Sequence, residues 1–223
     1  MLREVTSISV LLRIFSAVLI GGVIGIDRGR KKRPAGLRTY MLVCVGSCLI
    51  MLTNQYIFQN SGTGDPVRMG AQVVSGIGFL GAGTIIVTKR NQIRGLTTAA
   101  GLWTSAGIGL ALGIGFYEAA LVSGIAIFFV LSVLQSWDNK MHHRSKMMEL
   151  YIEYSEKAGL GTLIRSLREL DAEIESIQMQ NEGSKEDNVR ELIVALRLHK
   201  KGNHSPLLRE IQTIEGVLYA EEL

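Results

Sequence analysis

The feature that most constrains this chain is a series of five apolar segments, each close to the length of a membrane helix. The hydrocarbon core of a bilayer needs about 20 apolar residues per helix, and a backbone in lipid must satisfy its own hydrogen bonds. The segments are Ile8–Ile26, Thr39–Phe58, Met69–Val87, Leu96–Phe116 and Ala119–Trp137. We therefore predict an α-helical polytopic membrane domain with about five transmembrane helices.

Charge and glycine divide the chain into two parts. Residues 1–136 contain 12 Lys/Arg, 4 Asp/Glu and 20 of the 25 glycines, whereas residues 137–223 contain 12 Lys/Arg and 16 Asp/Glu. This contrast predicts a membrane domain over residues 1–137, a basic juxtamembrane linker over 138–146 and a soluble domain over 147–223. Most of the positive charge lies between apolar spans, so it does not indicate a nucleic-acid partner.

Positive charge also predicts the topology. The linkers after the first and third spans are rich in Lys and Arg, whereas residues 59–67 and 113–118 contain none. By the positive-inside rule both basic linkers are cytoplasmic. The amino terminus is then outside, and an odd number of spans leaves the carboxyl-terminal domain in the cytoplasm.

The hydrophobic period changes after residue 147. Apolar residues alternate over 148–154 and 192–198, as in half-buried strands, and recur with helical spacing over 160–170 and 207–214. Shorter strands are predicted around 177–179 and 217–221. The resulting βαββαβ order predicts an α+β ferredoxin-like domain. Such domains bind small ligands or pair edge to edge, and the fold alone does not choose between these uses.

Three motifs lie at predicted helix boundaries: Arg-Pro-Ala-Gly-Leu-Arg-Thr at 33–39, Ser-Gly-Ile-Gly-Phe-Leu-Gly-Ala-Gly at 75–83, and Arg-Gly-Leu-Thr-Thr-Ala-Ala-Gly-Leu-Trp at 94–103. The recurrence of Gly-Leu-x-Thr suggests two parallel hairpins. The candidate structural and functional residues in and beside these motifs are Asp27, Arg28, Pro34, Gly36, Arg38, Thr39, Gln72, Ser75, Gly76, Gly78, Gly81, Gly83, Arg94, Gly95, Thr97, Thr98 and Trp103.

The glycine-rich motif matches a dinucleotide-binding fingerprint in its letters. We reject that reading because the fingerprint works only between a strand and a helix, and here it lies inside a predicted span. Two readings remain for Gly76, Gly78, Gly81 and Gly83. They allow another helix to approach closely, or they open the helix so that its carbonyls face a polar cavity.

The polar residues of the predicted spans need partners. Asp27 could pair with Arg38 or Arg94 and so dock the two basic linkers. It could instead form a cation site, although one carboxylate is a poor site for Mg²⁺. Gln72 and Ser75 could hydrogen-bond to Thr97, Thr98 or Thr104 between helices. No carboxylate cluster crosses the predicted membrane domain, which argues against direct ion transport.

We find no pattern that indicates catalysis, a metal site or a cofactor. All four histidines lie after residue 137, and there is no phosphate loop, acid–base pair or zinc-ligand spacing. Cys44 and Cys48 lie four residues apart in one apolar segment and share a helix face, which favours packing over a redox pair. The sequence therefore predicts a protein that is not an enzyme.

The three motifs, agreeing in order and spacing over residues 10–125, resemble the bacterial MgtC/SapB family, and the tail looks like the ACT-like domain of its longer members. The resemblance implies a bacterial inner-membrane protein linked to magnesium homeostasis and low-magnesium adaptation and, in pathogens, to virulence. It implies regulation through other membrane proteins, such as ATP synthase. Thr97 replaces a frequent Asn and Thr104 replaces a Cys of some members, so family roles for those side chains do not transfer.

The leading hypothesis is a non-enzymatic membrane regulator that acts through contacts with other membrane proteins. Its partners would be the lipid bilayer, other membrane proteins and a second copy of the chain, joined through the membrane domain or the ACT-like domain. The alternative is a channel or transporter for a small ion or solute, gated by the cytoplasmic domain. A continuous helix packed through Gly76–Gly83 would favour the regulator, and a broken helix lining a wet cavity would favour transport.

Overall fold

A computed structural model describes residues 4–88, 92–135, 137, 146–170, 172–180, 189–199 and 204–223. The chain divides into two compact units, Met1–Gln135 and Ser136–Leu223. In its described residues the first unit contains five α-helices and one short hairpin. The helices are α1 (Ser7–Arg30), α2 (Leu37–Ser61), α3 (Arg68–Gly83), α4 (Leu96–Gly113) and α5 (Tyr117–Phe129), the last continuing as the π-helical turn Val130–Leu134.

Three of these helices are long and apolar enough to cross a membrane: α1, α2 and the continuous segment Tyr117–Leu134. This supports a membrane domain in the first part of the chain, while the count of five spans stays a prediction. The third predicted span, Met69–Val87, extends beyond the end of the helix in the structure. α3 has 16 residues and ends at Gly83, because strand β1 (Ile86–Val87) pairs with strand β2 (Ile93–Arg94) in an antiparallel hairpin.

Helix α2 is the centre of the first unit and packs against α1 on one side and α4 on another. The core of the unit is formed by buried apolar residues of α1, α2, α4 and α5, among them Ala17, Ile24, Tyr40, Cys44, Cys48, Leu52, Leu102, Ile108, Leu112 and Ala120. Cys44 and Cys48 are free thiols in this core. Their position agrees with a packing role.

In its described residues the second unit is a four-stranded antiparallel sheet with two α-helices. Its elements are β3 (Met147–Ser155), α6 (Leu160–Glu169), β4 (Ala172–Gln180), β5 (Val189–Leu198), α7 (Ser205–Gln212) and β6 (Val217–Glu222). The strand order is β4-β5-β3-β6, and every pairing is antiparallel. This is the βαββαβ order that the hydrophobic period predicts.

One face of this sheet forms the core of the second unit. Alternate residues of β3 and β5, including Leu150, Ile152 and Val194, are fully buried, as period-2 alternation requires. Leu163 and Leu167 of α6 and Ile211 of α7 complete the same cluster. The unit therefore has a hydrophobic core of its own.

Candidate functional site

The charged centre of the first unit is a group that we call the Arg28 cluster: Arg28 of α1, Tyr40 of α2, Thr98 of α4 and Gln135 beyond α5. The Arg28 side chain is only 1% exposed. Its guanidinium donates to Gln135 Oε1 at 3.0 Å and to Thr98 Oγ1 at 3.4 Å. The structure thus joins Arg28 and Thr98, two residues that the sequence analysis selected separately.

The Arg28 cluster holds a positive charge without an acidic partner among the residues that the structure describes. The Arg28 Nε and the Tyr40 hydroxyl are buried there without a hydrogen-bond acceptor or donor in good geometry, although the guanidinium is close enough to Tyr40 to interact electrostatically. A buried charge is costly unless polar groups surround it. The side-chain oxygens of Gln135 and Thr98 are the polar groups around Arg28, so this arginine links α1 to α4 and to the residue that follows the π-helical turn.

Asp27 does not form the predicted pair with Arg38 or Arg94. Its carboxylate pairs with Lys31, one turn later, at 3.0 Å. The Lys31 ammonium also donates to the carbonyls of Leu131 and Ser132 at 3.4 and 3.3 Å. These carbonyls belong to the π-helical turn Val130–Leu134 that continues α5. Asp27 therefore orients a lysine that joins α1 to α5.

The first motif forms the start of α2. Gly36 is the N-cap residue of this helix, and it lies against α1. A Cβ atom built on Gly25 of α1 would fall 2.7 Å from Leu37 Cα and 3.1 Å from the Gly36 carbonyl, so only glycine permits this approach. Pro34 before α2, and Arg38 and Thr39 in the first turn of α2, are exposed.

The third motif begins α4. Gly95 is its N-cap residue and has φ +102°, and an added Cβ would lie 1.9 Å from the carbonyl oxygen of Thr84. Both motif glycines of the suggested repeat thus occupy helix N-caps. Arg94 is exposed and contacts Gln92, while Thr97 and Trp103 are exposed on α4.

The glycine motif of α3 lies in a continuous helix, but most of it does not pack closely. Built Cβ atoms on Gly76, Gly78 and Gly83 have no neighbouring atom within 4 Å, whereas Gly81 meets Ala99 at 3.5 Å. Three of the four glycines therefore make no close contact with another helix among the described residues. α3 meets α4 at Gly81, which lies against Ala99.

Gln72 and Ser75 are both exposed on α3. Within the described residues neither hydrogen-bonds to Thr97, Thr98 or Thr104. Thr98 is instead buried in the Arg28 cluster, and the Thr104 hydroxyl donates to carbonyls of its own helix, on Ala100 and Gly101. The predicted polar link between α3 and α4 is absent.

The close contacts of the bundle are made by glycines that the sequence analysis did not select. On α1, a Cβ on Gly21 would fall 2.9 Å from the Tyr40 carbonyl oxygen, next to the Gly25 contact above. On α4, a Cβ on Gly109 would fall 2.2 Å from the Cys44 carbonyl oxygen, and one on Gly113 would fall 2.5 Å from Met51 Cβ. Their spacing of four residues, typical of small-residue interfaces, is the signal that could have found them.

The first unit contains a second buried arginine, Arg13 of α1. Arg13 is 0% exposed and donates to Gln55 Oε1 and to the Gly113 carbonyl, both at 2.6 Å. A third bond reaches the Glu4 carbonyl at 3.4 Å. Arg13 therefore ties α1 to the end of α2 and the end of α4, near the opposite end of the first unit from Arg28.

In the second unit the sheet face opposite its hydrophobic core carries carboxylates around the buried Tyr151. Burial raises the pKa of the Tyr151 hydroxyl above its ordinary value, and its hydrogen bonds to Glu191 and Glu153 and their negative charge raise it further. The Tyr151 ring meets Tyr219 edge to face with centroids 6.5 Å apart. His204 is buried and bonded to Glu222. Among the described residues no group of three or more His, Cys, Asp or Glu side chains is arranged to hold a metal ion.

Comparison with known proteins agrees with these motifs. The family model described as the MgtC family matches residues 14–140. Protein SapB of Bacillus subtilis (strain 168) is 33% identical over 217 residues, which cover 94% of this chain and 93% of that protein. YhiD of Escherichia coli (strain K12), named as a candidate magnesium transporter, is 30% identical over 213 residues, covering 93% of this chain and 95% of that protein.

A shorter match has a higher identity. Protein MgtC of Brucella abortus (strain 2308) is 44% identical over 119 residues, which are 53% of this chain and 48% of that protein. No solved structure matches the chain at a significant level.

Proposed function

The chain belongs to the MgtC family of magnesium-related membrane proteins, and from that premise we propose that it is a membrane regulator of magnesium homeostasis rather than a carrier of the ion. It acts through contacts with other membrane proteins, of which ATP synthase is one candidate. The proposal places it in the bacterial inner membrane with five spans, its amino terminus outside and its carboxyl-terminal domain in the cytoplasm.

The observation that carries this proposal is the Arg28 cluster. A buried guanidinium whose partners among the described residues are neutral repels any cation moving between α1, α2 and α4, and the low dielectric of the interior strengthens the repulsion. A path for Mg²⁺ would instead present oxygen ligands and carboxylates. The four carboxylates of residues 1–136 are Glu4, Asp27, Asp65 and Glu118, which lie in terminal helix turns or outside helices.

The second unit would then supply sensing or dimerisation. We propose that it is an ACT-like domain, because its βαββαβ order and antiparallel sheet are those of small regulatory domains. The two edge strands, β4 and β6, would offer the surfaces for a ligand or a second copy. We also propose a role in low-magnesium adaptation and, in a pathogen, in virulence, as membership of the family implies.

Two measurements test the regulator. The purified full chain in liposomes with an enclosed Mg²⁺ indicator should admit Mg²⁺ no faster than protein-free liposomes. Crosslinking in native membranes should capture a stable partner, either another membrane protein or a second copy. Saturable Mg²⁺ uptake that changes when Arg28 is replaced by Gln would overturn the proposal.

The alternative is a transporter, and the name of its Escherichia coli relative favours it. In that case the groove between α2 and α3, lined by Gln72 and Ser47 among apolar residues, would be part of the path. Substitutions there would then change the uptake rate in the same liposomes. Of the two features expected of the regulator in Gly76–Gly83, the helix is continuous, but three of its four glycines do not pack against a neighbour, so this segment supports the regulator through its continuity alone.

A further inference from the structure

A long apolar groove runs between α2 and α3. Its volume is about 690 Å³, within the range of roughly 300–1,000 Å³ that is typical of small-molecule sites. Gly46 of α2 and Gly76 of α3 line it, and a Cβ on either glycine would meet no atom within 4 Å. The groove is therefore open space between two helices, lined mostly by larger apolar side chains with Gly46 and Gly76 among them.

One end of the groove carries a positive charge. Arg68, the first residue of α3, lines the groove and is exposed. In the described part of the chain its side chain has no ion pair or hydrogen bond. The nearby Asp65 carboxylate forms no ion pair with Arg68 among the described residues. Its Oδ1 accepts from the backbone N–H of Val67 at 2.9 Å. The guanidinium of Arg68 thus lies, without an ion-pair partner among the described residues, at one end of the apolar groove.

The length of the groove decides which occupant fits. From Arg68 to Leu80 the helix rises about 18 Å at 1.5 Å per residue. One leaflet is about 15 Å deep, half of a hydrocarbon core of about 30 Å. An acyl chain laid along the groove would therefore occupy the depth of about one leaflet.

We propose that the α2–α3 groove binds a phospholipid with an anionic headgroup. One acyl chain lies along Gly46, Gly76 and Ile77, and the phosphate meets Arg68 at the α3 N-terminal end. Gln72, one turn further along α3, provides an amide at the depth of the ester carbonyls. Arginine suits this role because its planar guanidinium matches phosphate oxygens.

Native mass spectrometry of the full-length protein with phosphatidylglycerol or phosphatidylcholine tests the site. The wild type should retain phosphatidylglycerol through detergent removal and bind it more tightly than phosphatidylcholine. Arg68→Gln should weaken phosphatidylglycerol binding about tenfold, as expected for one lost charged hydrogen bond. Gly76→Leu, which fills the groove, should abolish retention of both lipids.

Matched controls separate the site from general effects. Gly78→Leu changes a glycine of the same helix that is equally open but does not line the groove, and Arg94→Gln removes an exposed arginine elsewhere. Both should bind lipid as the wild type does. Equal lipid retention in all the variants would overturn the proposal. It would also be overturned if Gly76→Leu changed the monomer–dimer ratio and left lipid binding intact, because the groove would then hold protein.

Discussion

At the scale of single residues, Arg28 shows how this bundle tolerates a charge in its interior. The guanidinium has two neutral acceptors, Gln135 and Thr98, and Nε remains without one. Removing an acceptor from a buried donor costs more than the net value of the bond, since the donor is left desolvated. The stability of the protein should therefore depend on whether the Arg28 guanidinium keeps its hydrogen-bond acceptors, rather than on the presence of its charge.

We expect Thr98→Val to lower the free energy of unfolding by about 1–2 kcal/mol, because an isosteric change deprives a buried guanidinium of an acceptor. In an Arg28→Met background the same change should cost little, because an apolar replacement leaves no donor to satisfy. The double-mutant cycle, measured by thermal unfolding in detergent, should give a coupling of about 1 kcal/mol. Additive effects would show that Thr98 and Arg28 do not interact.

Gly95 is a second residue whose environment permits no side chain. Gly95→Ala should destabilise the protein by about 2–3 kcal/mol, since it combines a strained positive φ with a clash on the Thr84 carbonyl. Gly64→Ala is the matched control, because Gly64 also has positive φ but open space around its Cβ position. The difference between the two melting temperatures measures the clash. Equal losses of stability in the two variants would mean that the β1–β2 hairpin moves away from the added methyl group at no cost in free energy.

At the scale of elements, α2 is held between two helices that approach it through glycine. Gly109→Ala should loosen the α2–α4 contact and destabilise the protein by about 1–3 kcal/mol, because the added methyl group meets the Cys44 backbone. Gly107→Ala, two residues away on the same helix, points into open space and should be neutral or stabilising. Thermal unfolding of the two variants compares packing with helix propensity. Equal stability of both variants would contradict the packing role.

The elements of this chain could be predicted where the sequence pattern is long and regular. The strands and helices of the second unit follow from periods of 2 and 3.6, because a sheet with one covered face repeats its buried residues. The role of the Gly76–Gly83 motif could not be predicted, because the density of glycine does not tell which face meets a neighbour. The contacts of Gly109 and Gly113 show that a four-residue spacing of glycines predicts close helix packing better than their number does.

Site residues were predictable only in part, for a related reason. The sequence marks Thr98 as a polar group in an apolar segment, which is informative, whereas it places Arg28 in the basic linker that follows the first span. It does not indicate that they meet, because their contact depends on how α1 and α4 rotate about α2. Asp27 was matched with distant arginines, although Lys31 at i+4 is the nearer partner on any helix.

At the scale of the whole molecule, the chain joins two units with opposite net charge and separate cores. The first unit has its core around Cys44 and Leu102, and the second around Leu150 and Val194. A unit with its own core can respond to a signal without unfolding its neighbour. This independence is what a regulator with a sensing domain requires.

We therefore expect residues 146–223 to fold when produced without the first unit. The fragment should be water-soluble and unfold cooperatively in urea, because its sheet, two helices and core lie within one compact unit. Leu150→Ala should abolish that transition or lower the free energy of unfolding by about 3 kcal/mol, since the residue is fully buried. Glu149→Ala, at the adjacent exposed position, should change it by less than about 0.5 kcal/mol. A fragment without a cooperative transition would show that the two units fold together, and sensing would then need contacts with the membrane domain.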